Sequence, residues 1–128
     1  LTSSLPVLLL VLCSLAATEA QLTVYNMRAS GLPSSGLTKP DGFVKVYCNS
    51  VFMGQTAVVK NNANPVWGNE FSYSKASVND LLRLEIYDED IGSHDLLGIC
   101  KGNLKRGTYS SSCSLSKGGT LRFTYRLG

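Results

Sequence analysis

Apolar and polar residues alternate with a period of two along three stretches of the chain. Phe43 to Cys48 sets Val44 and Val46 on one face and Lys45 on the other. Leu81 to Tyr87 sets Leu82, Leu84 and Ile86 against Arg83 and Glu85. Thr120 to Leu127 sets Leu121, Phe123 and Tyr125 against Arg122 and Arg126. Period two is the signature of a half-buried strand, because successive side chains leave opposite faces of the backbone. Four weaker runs join them: Leu22 to Arg28, broken at Asn26; the β-branched run Phe52 to Lys60; Glu70 to Tyr73; and Leu96 to Cys100. Turn-prone segments separate the runs. Gly31 to Gly42 is rich in Gly, Pro and Ser, Asn61 to Pro65 is polar, and a Ser/Gly-rich region follows Cys100. Only Lys75 to Leu82 admits a helical turn. Seven or eight short strands at spacings near ten residues predict an all-β antiparallel sandwich or barrel. In such a frame, function concentrates on the loop tips.

Residues 1–20 read differently. Leu5 to Ala17 is apolar apart from Pro6 and Ser14, too short to span a bilayer, which needs ~20 residues. It suits the apolar core of a secretory signal peptide, incomplete at its N-terminus, with cleavage expected after Ala20. The expected domain is then 21–128, secreted and extracellular. Without Glu19 it holds 12 cations against 8 acids. A mild basic excess suits an anionic membrane surface and is also common on ordinary surfaces.

Composition adds two constraints. Hydrophobic residues make up 44% and charged residues 16%, the balance of a globular domain. Of the four cysteines, Cys13 falls in the leader, so Cys48, Cys100 and Cys113 remain and at most one internal bridge can form. The expected pair is Cys100 with Cys113. Cys48 shares a strand face with Val44 and Val46 and is expected as a buried free thiol, with an intermolecular disulfide as the alternative.

The acids are unevenly placed. Asp88, Glu89, Asp90 and Asp95 fall within eight residues, and Asp41 follows the Gly-rich loop. Two carboxylates about 4 Å apart repel by ~4 kcal/mol at an effective dielectric of 20. A divalent cation reverses that sign, and Ca²⁺ takes six to eight oxygens at about 2.3–2.6 Å from flexible loops. Asp88 and Asp90, two apart, point the same way on a strand, and Asp95 can return across the loop. The competing reading is a solvated acidic tip. The helix–loop–helix calcium motif fits poorly, because its sixth and twelfth positions counted from Asp88 are Ser93 and Ile99.

Four stretches together resemble the C2 domain family: Lys39-Pro-Asp-Gly-Phe-Val-Lys-Val46, Asn64-Pro-Val-Trp-Gly-Asn-Glu-Phe71, Leu84-Glu-Ile-Tyr-Asp-Glu-Asp90 and Asp95-Leu-Leu-Gly98. The resemblance covers the whole expected domain. Gly31-Leu32, Asn61 to Pro65 and the spacing of Cys100 and Cys113 make it similar to the perforin branch, whose disulfide supports the same pairing. The family implies an eight-stranded antiparallel C2-type β-sandwich with calcium-binding loops at one tip. It also implies that calcium bridges those loops to phospholipid headgroups. By resemblance, Asp41, Asp88, Asp90 and Asp95 occupy ligand positions, with the Glu89 carbonyl as a further donor. Ser35 stands where the family carries a first-loop Asp, and Asp90 to Asp95 is one residue shorter than usual. Both departures imply one or two ions held weakly, at roughly 0.1–1 mM.

The same loops carry apolar tips. Pro33, Leu37 and Ile91 are the candidate membrane contacts, with scattered surface residues as the plain alternative. Lys45 and Lys60 are candidate headgroup contacts, though ordinary solvated lysines fit as well. Trp67 is expected in the core. His94, beside Asp95, has no positioned Ser or Cys partner, and no nucleophile elbow, zinc pair or phosphate loop occurs, so no enzyme is expected. The leading reading is a monomer that binds a phospholipid surface and no nucleic acid. The rival is a protein-interaction module, its partner unknown, with a degenerate calcium site.

Overall fold

The computed structural model describes residues 19–90 and 93–128. Nine strands run in the order β1 Glu19–Ser30, β2 Gly42–Cys48, β3 Val51–Gln55, β4 Val66–Trp67, β5 Phe71–Ser77, β6 Leu81–Asp90, β7 Ser93–Asn103, β8 Gly107–Ser114 and β9 Thr120–Leu127. They form two antiparallel sheets. One has the order β4-β1-β9-β8, with β5 also on β1, and the other the order β3-β2-β6-β7. Strands β4 and β5 lie end to end along the same edge of β1: β4 pairs with Met27 and Arg28, and β5 with residues 19–24. Taken as one interrupted strand they give the expected eight, four to each sheet.

The strong alternating runs became strands with the expected faces. Leu22, Val24, Leu121 and Leu127 from one sheet meet Val44, Val46, Leu84 and Ile86 from the other, all essentially excluded from water. The irregularity at Asn26 is a β-bulge. The register of β1 against β9 shifts between Tyr25 and Arg28, and Asn26 takes a left-handed φ of 55° that Asn tolerates better than most residues. Trp67 is buried as expected, and its indole N–H donates to the Gly42 carbonyl at 3.0 Å.

Three expectations need correction. Residues 75–82 form no helical turn: β5 runs to Ser77, and a short turn leads to β6 at Leu81. The Ser-rich segment after Cys100 contains a full strand, β8, in unbroken register with β9 from Gly107 to Ser114. Its serines carried no hydrophobic period to reveal it. The acidic segment is not an open loop, because β6 and β7 continue through it as a hairpin.

Cys100 and Cys113 are joined, tying the β7 edge of one sheet to the β8 edge of the other, and Cys48 is a buried free thiol. The leader expected over 1–20 lies outside the described residues as far as residue 18. Glu19 and Ala20 extend β1 and pair with Ser77 and Ala76.

Candidate functional site

One end of the sandwich gathers the loops that follow β1, precede β4, join β6 to β7 and precede β9. Backbone hydrogen bonds lace them together. Leu32 N donates to Ala63 O at 3.0 Å, Asn62 N to Pro40 O at 2.9 Å, and Lys117 N to Leu97 O at 3.1 Å. Gly119 lets the fourth loop close on the first. Its φ is +85°, and a Cβ there would meet the Ser30 carbonyl oxygen at 2.7 Å.

The acids converge on this end through strand register. Gly42, Asp88 and Asp95 stand directly opposite one another across β2, β6 and β7. Directly opposed side chains have Cβ atoms about 4.5–5.5 Å apart, so Asp88 and Asp95 face each other as like charges. Asp88 is buried, 3% exposed. Its Oδ1 accepts the backbone N–H of Asp41 at 2.8 Å. Asp41 Oδ1 in turn accepts the Asn61 N–H at 2.7 Å, and the Asp41 carbonyl accepts the Glu89 N–H at 2.8 Å. The Asp90 carboxyl is held above the usual carboxylate range. Its hydrogen bond with Asp95 is the largest cause, followed by burial and then by the charges of Asp88, Asp95 and Asp41. Four of the sequence candidates therefore act on one another electrically.

Ser35 reaches the same place. With Pro33, Ser34, Asp88, Asp95, Leu97 and Lys117 it lines a cavity of about 200 Å³. Ser35 and Thr38 exchange backbone hydrogen bonds at 3.1 and 3.2 Å, closing a tight turn that holds Leu37 at its apex, fully exposed. Glu89 stands opposite His94 and presents its backbone to Asp41. Ile91 lies outside the described residues. Lys60 is exposed, whereas Lys45 sits elsewhere, its ammonium 4.9 Å from the Tyr87 ring centroid on the outer face of β2 and β6. His94 packs edge-on against Phe43 at 5.0 Å between ring centroids.

Two residues at the tip escaped sequence reasoning. Lys117 brings a cation to the cavity of Asp88 and Asp95, from a Ser-Lys-Gly-Gly turn that reads as an ordinary loop. Asn61 contributes only its backbone N–H, which no side-chain pattern encodes.

The donor set, four carboxylates and a hydroxyl, is that of a hard divalent cation. As the side chains stand, their oxygens bond to backbone N–H groups and to each other, and among the described residues no three acidic, His or Cys groups are arranged to hold a metal ion. A larger cavity, about 370 Å³, lies elsewhere, between β7 and β8 beside the disulfide.

Known proteins share this fold. A family model described as "C2 domain" matches residues 20–123. Perforin-1 of Rattus norvegicus is 34% identical over 113 residues, covering 84% of this chain and 20% of that protein. A calcium-dependent lipid-binding protein of Arabidopsis thaliana is 31% identical over 85 residues, covering 65% of this chain and 17% of that protein. The chain thus spans about a fifth of the length of these relatives. A solved structure described as "Structure of a C2 domain" superposes with a TM-score of 0.84 at 50% identity, covering 85% of this chain and 98% of that one. The family match over both sheets and the tip loops, with a half-identical solved domain of the same fold, places this chain in the C2 domain family.

Proposed function

We propose that this chain is a calcium-dependent phospholipid-docking module, secreted and monomeric, and a binding domain rather than an enzyme. The observation that carries the reading is the convergence of Asp41, Asp88, Asp90 and Asp95 on one tip, where they raise the proton affinity of Asp90. Calcium, if bound there, would supply the positive charge that both such a cluster and an anionic lipid headgroup lack. Asp88 supplies the fixed oxygen, anchored by Asp41. Asp90 and Asp95 would hold the ion in place of their mutual hydrogen bond, releasing the shared proton to solvent, and Ser35 would offer a neutral oxygen across the cavity. Replacing a first-loop carboxylate by a hydroxyl, with Lys117 nearby, keeps the affinity low, at roughly 0.1–1 mM. Leu37, projecting from the same tip, enters the interface with Pro33 nearby, and Ile91 remains a candidate contact on its sequence alone. The names of relatives, perforin-1 and a calcium-dependent lipid-binding protein among them, support this assignment. An internal disulfide supports an oxidising compartment, in keeping with a leader over 1–20.

Vesicle sedimentation with and without 1 mM calcium tests the reading. Pelleting that needs calcium and is lost in Asp88→Asn/Asp90→Asn supports it; calcium-independent pelleting, or none, sinks it. One observation favours a second reading. The carboxylates already satisfy one another and backbone donors, with Lys117 beside them. A protein-interaction module with a degenerate calcium site would give no heat in a calcium titration.

A further inference from the structure

The outer face of the β4-β1-β9-β8 sheet carries arginines in an unusual relation. Arg28 on β1 and Arg122 on β9 stand directly opposite each other in the ladder, both exposed. Like charges directly opposite destabilise a sheet. Arg122 reaches Ser30 Oγ at 3.1 Å, and Arg28 reaches the Asn26 carbonyl at 3.4 Å, so each guanidinium bonds only to neutral oxygen. Arg126 is exposed on the same face, four residues further along β9. Among the described residues the one ion pair is Arg83–Glu85, on the other sheet. Glu70 lines the groove beside Arg28 without pairing with it. From Leu96 to Gly128 the sequence holds six cations and no acid.

The position of the pair names the partner. Ser30 and Thr120, two residues beyond Arg28 and Arg122, are where β1 and β9 enter the tip loops. At about 3.3 Å per residue the arginines stand roughly 7 Å below the tip, within reach of any surface the tip touches. Arg126 is roughly 13 Å further down. Lys117, in the loop before β9, adds a cation at the tip itself, in the cavity with Asp88 and Asp95.

We infer that Arg28 and Arg122 form a second, calcium-independent contact for anionic phospholipid, which tilts the docked domain onto its β1–β9 face. The inference rests on the tip docking proposed above and adds to it a preference for anionic over zwitterionic surfaces. Opposed guanidinium groups that repel each other in solution share lipid phosphates or carboxylates at the surface, so the repulsion is relieved on binding. Each arginine near an anionic leaflet contributes about fivefold in affinity, and the pair roughly 25-fold. Salt weakens this term within a Debye length of about 8 Å while leaving the apolar anchor intact.

The test compares the full chain with Arg28→Gln/Arg122→Gln on two vesicle types at 1 mM calcium, phosphatidylcholine alone and phosphatidylcholine with 30% phosphatidylserine. A control, Lys105→Gln/Arg106→Gln, removes the same charge between β7 and β8, at the opposite end of the sandwich. The wild type is expected to bind the anionic vesicles more tightly. The arginine variant should lose roughly 25-fold on them and little on phosphatidylcholine, and the control should change neither. Equal binding of the anionic vesicles by wild type and arginine variant, with calcium dependence intact, overturns the inference and leaves the tip reading standing. An equal loss in the control also overturns it, because net charge rather than this face would then be responsible. A wild type that binds neither vesicle with calcium overturns the tip reading and this inference together. Melting temperatures confirm that the exposed substitutions leave the fold unchanged.

Discussion

Asp88 accepts the backbone N–H of Asp41 at 2.8 Å, so a buried carboxylate on β6 fastens the start of β2 and the loop that precedes it. One side chain thus has a structural task and an electrostatic one, and substitution separates them. Asp88→Ala leaves that N–H without its partner and costs about 1–3 kcal/mol, a fall in melting temperature of roughly 5–15 °C. Asp88→Asn keeps an oxygen in place and loses less, yet it abolishes any calcium-induced rise in melting temperature. Scanning calorimetry of both variants with and without calcium distinguishes the two tasks.

Among the described residues, Leu37 is the large apolar side chain most exposed to solvent. Leu37→Ala should leave the melting temperature unchanged, since it removes no packing, and should weaken calcium-dependent vesicle binding roughly tenfold or more. Equal vesicle affinity in the variant would mean that Leu37 stays in water when the domain docks.

The Cys100–Cys113 bridge closes a short loop and joins sheets that share no backbone ladder at that edge. Cys100→Ser/Cys113→Ser should lower stability by roughly 3 kcal/mol, read from the urea midpoint. Because the bridge lies at a sheet edge away from the acids, calcium binding by the folded variant should match that of the wild type.

Burial, with help from Asp80, pushes the Cys48 thiol up from 9.0 to about 11. Burial also pushes the Tyr87 hydroxyl up, from 10.0 to about 12, and the hydrogen bond to Glu85 adds to it. Both groups stay neutral in the fold while the unfolded chain ionises, so stability is full below about pH 9 and falls as pH rises through both windows. Urea midpoints from pH 8 to 12 should show the decline beginning near pH 9 in the wild type and near pH 10 in Cys48→Ala. The native thiol should resist thiol reagents at neutral pH and react once unfolded.

Legibility followed the hydrophobic period. Strands β2, β6 and β9 were readable because each buries one face, and β8 was not, because Ser110, Ser111 and Ser112 look the same on both faces. The edge position of β8 and its pairing with β9 come from the tertiary structure. The acids were visible as a cluster, and the alternation of Asp88 and Asp90 placed them on one face. Their placement on paired strands rather than in an open loop was not, since Asp and Glu are depleted in strands, and here β6 and β7 carry their ladder as far as Asp90 and Ser93.

Local sequence, then, determined which residues alternate, which segments turn and where negative charge accumulates, because strand periodicity and turn chemistry act within a few neighbours. Only the tertiary structure decided that Ser35 and Lys117 share a cavity with Asp88 and Asp95, that Asn61 caps Asp41, and that Arg28 faces Arg122. Those partners are between 20 and 94 residues apart along the chain. Their meeting is set by how two sheets pair and pack, which no local pattern encodes.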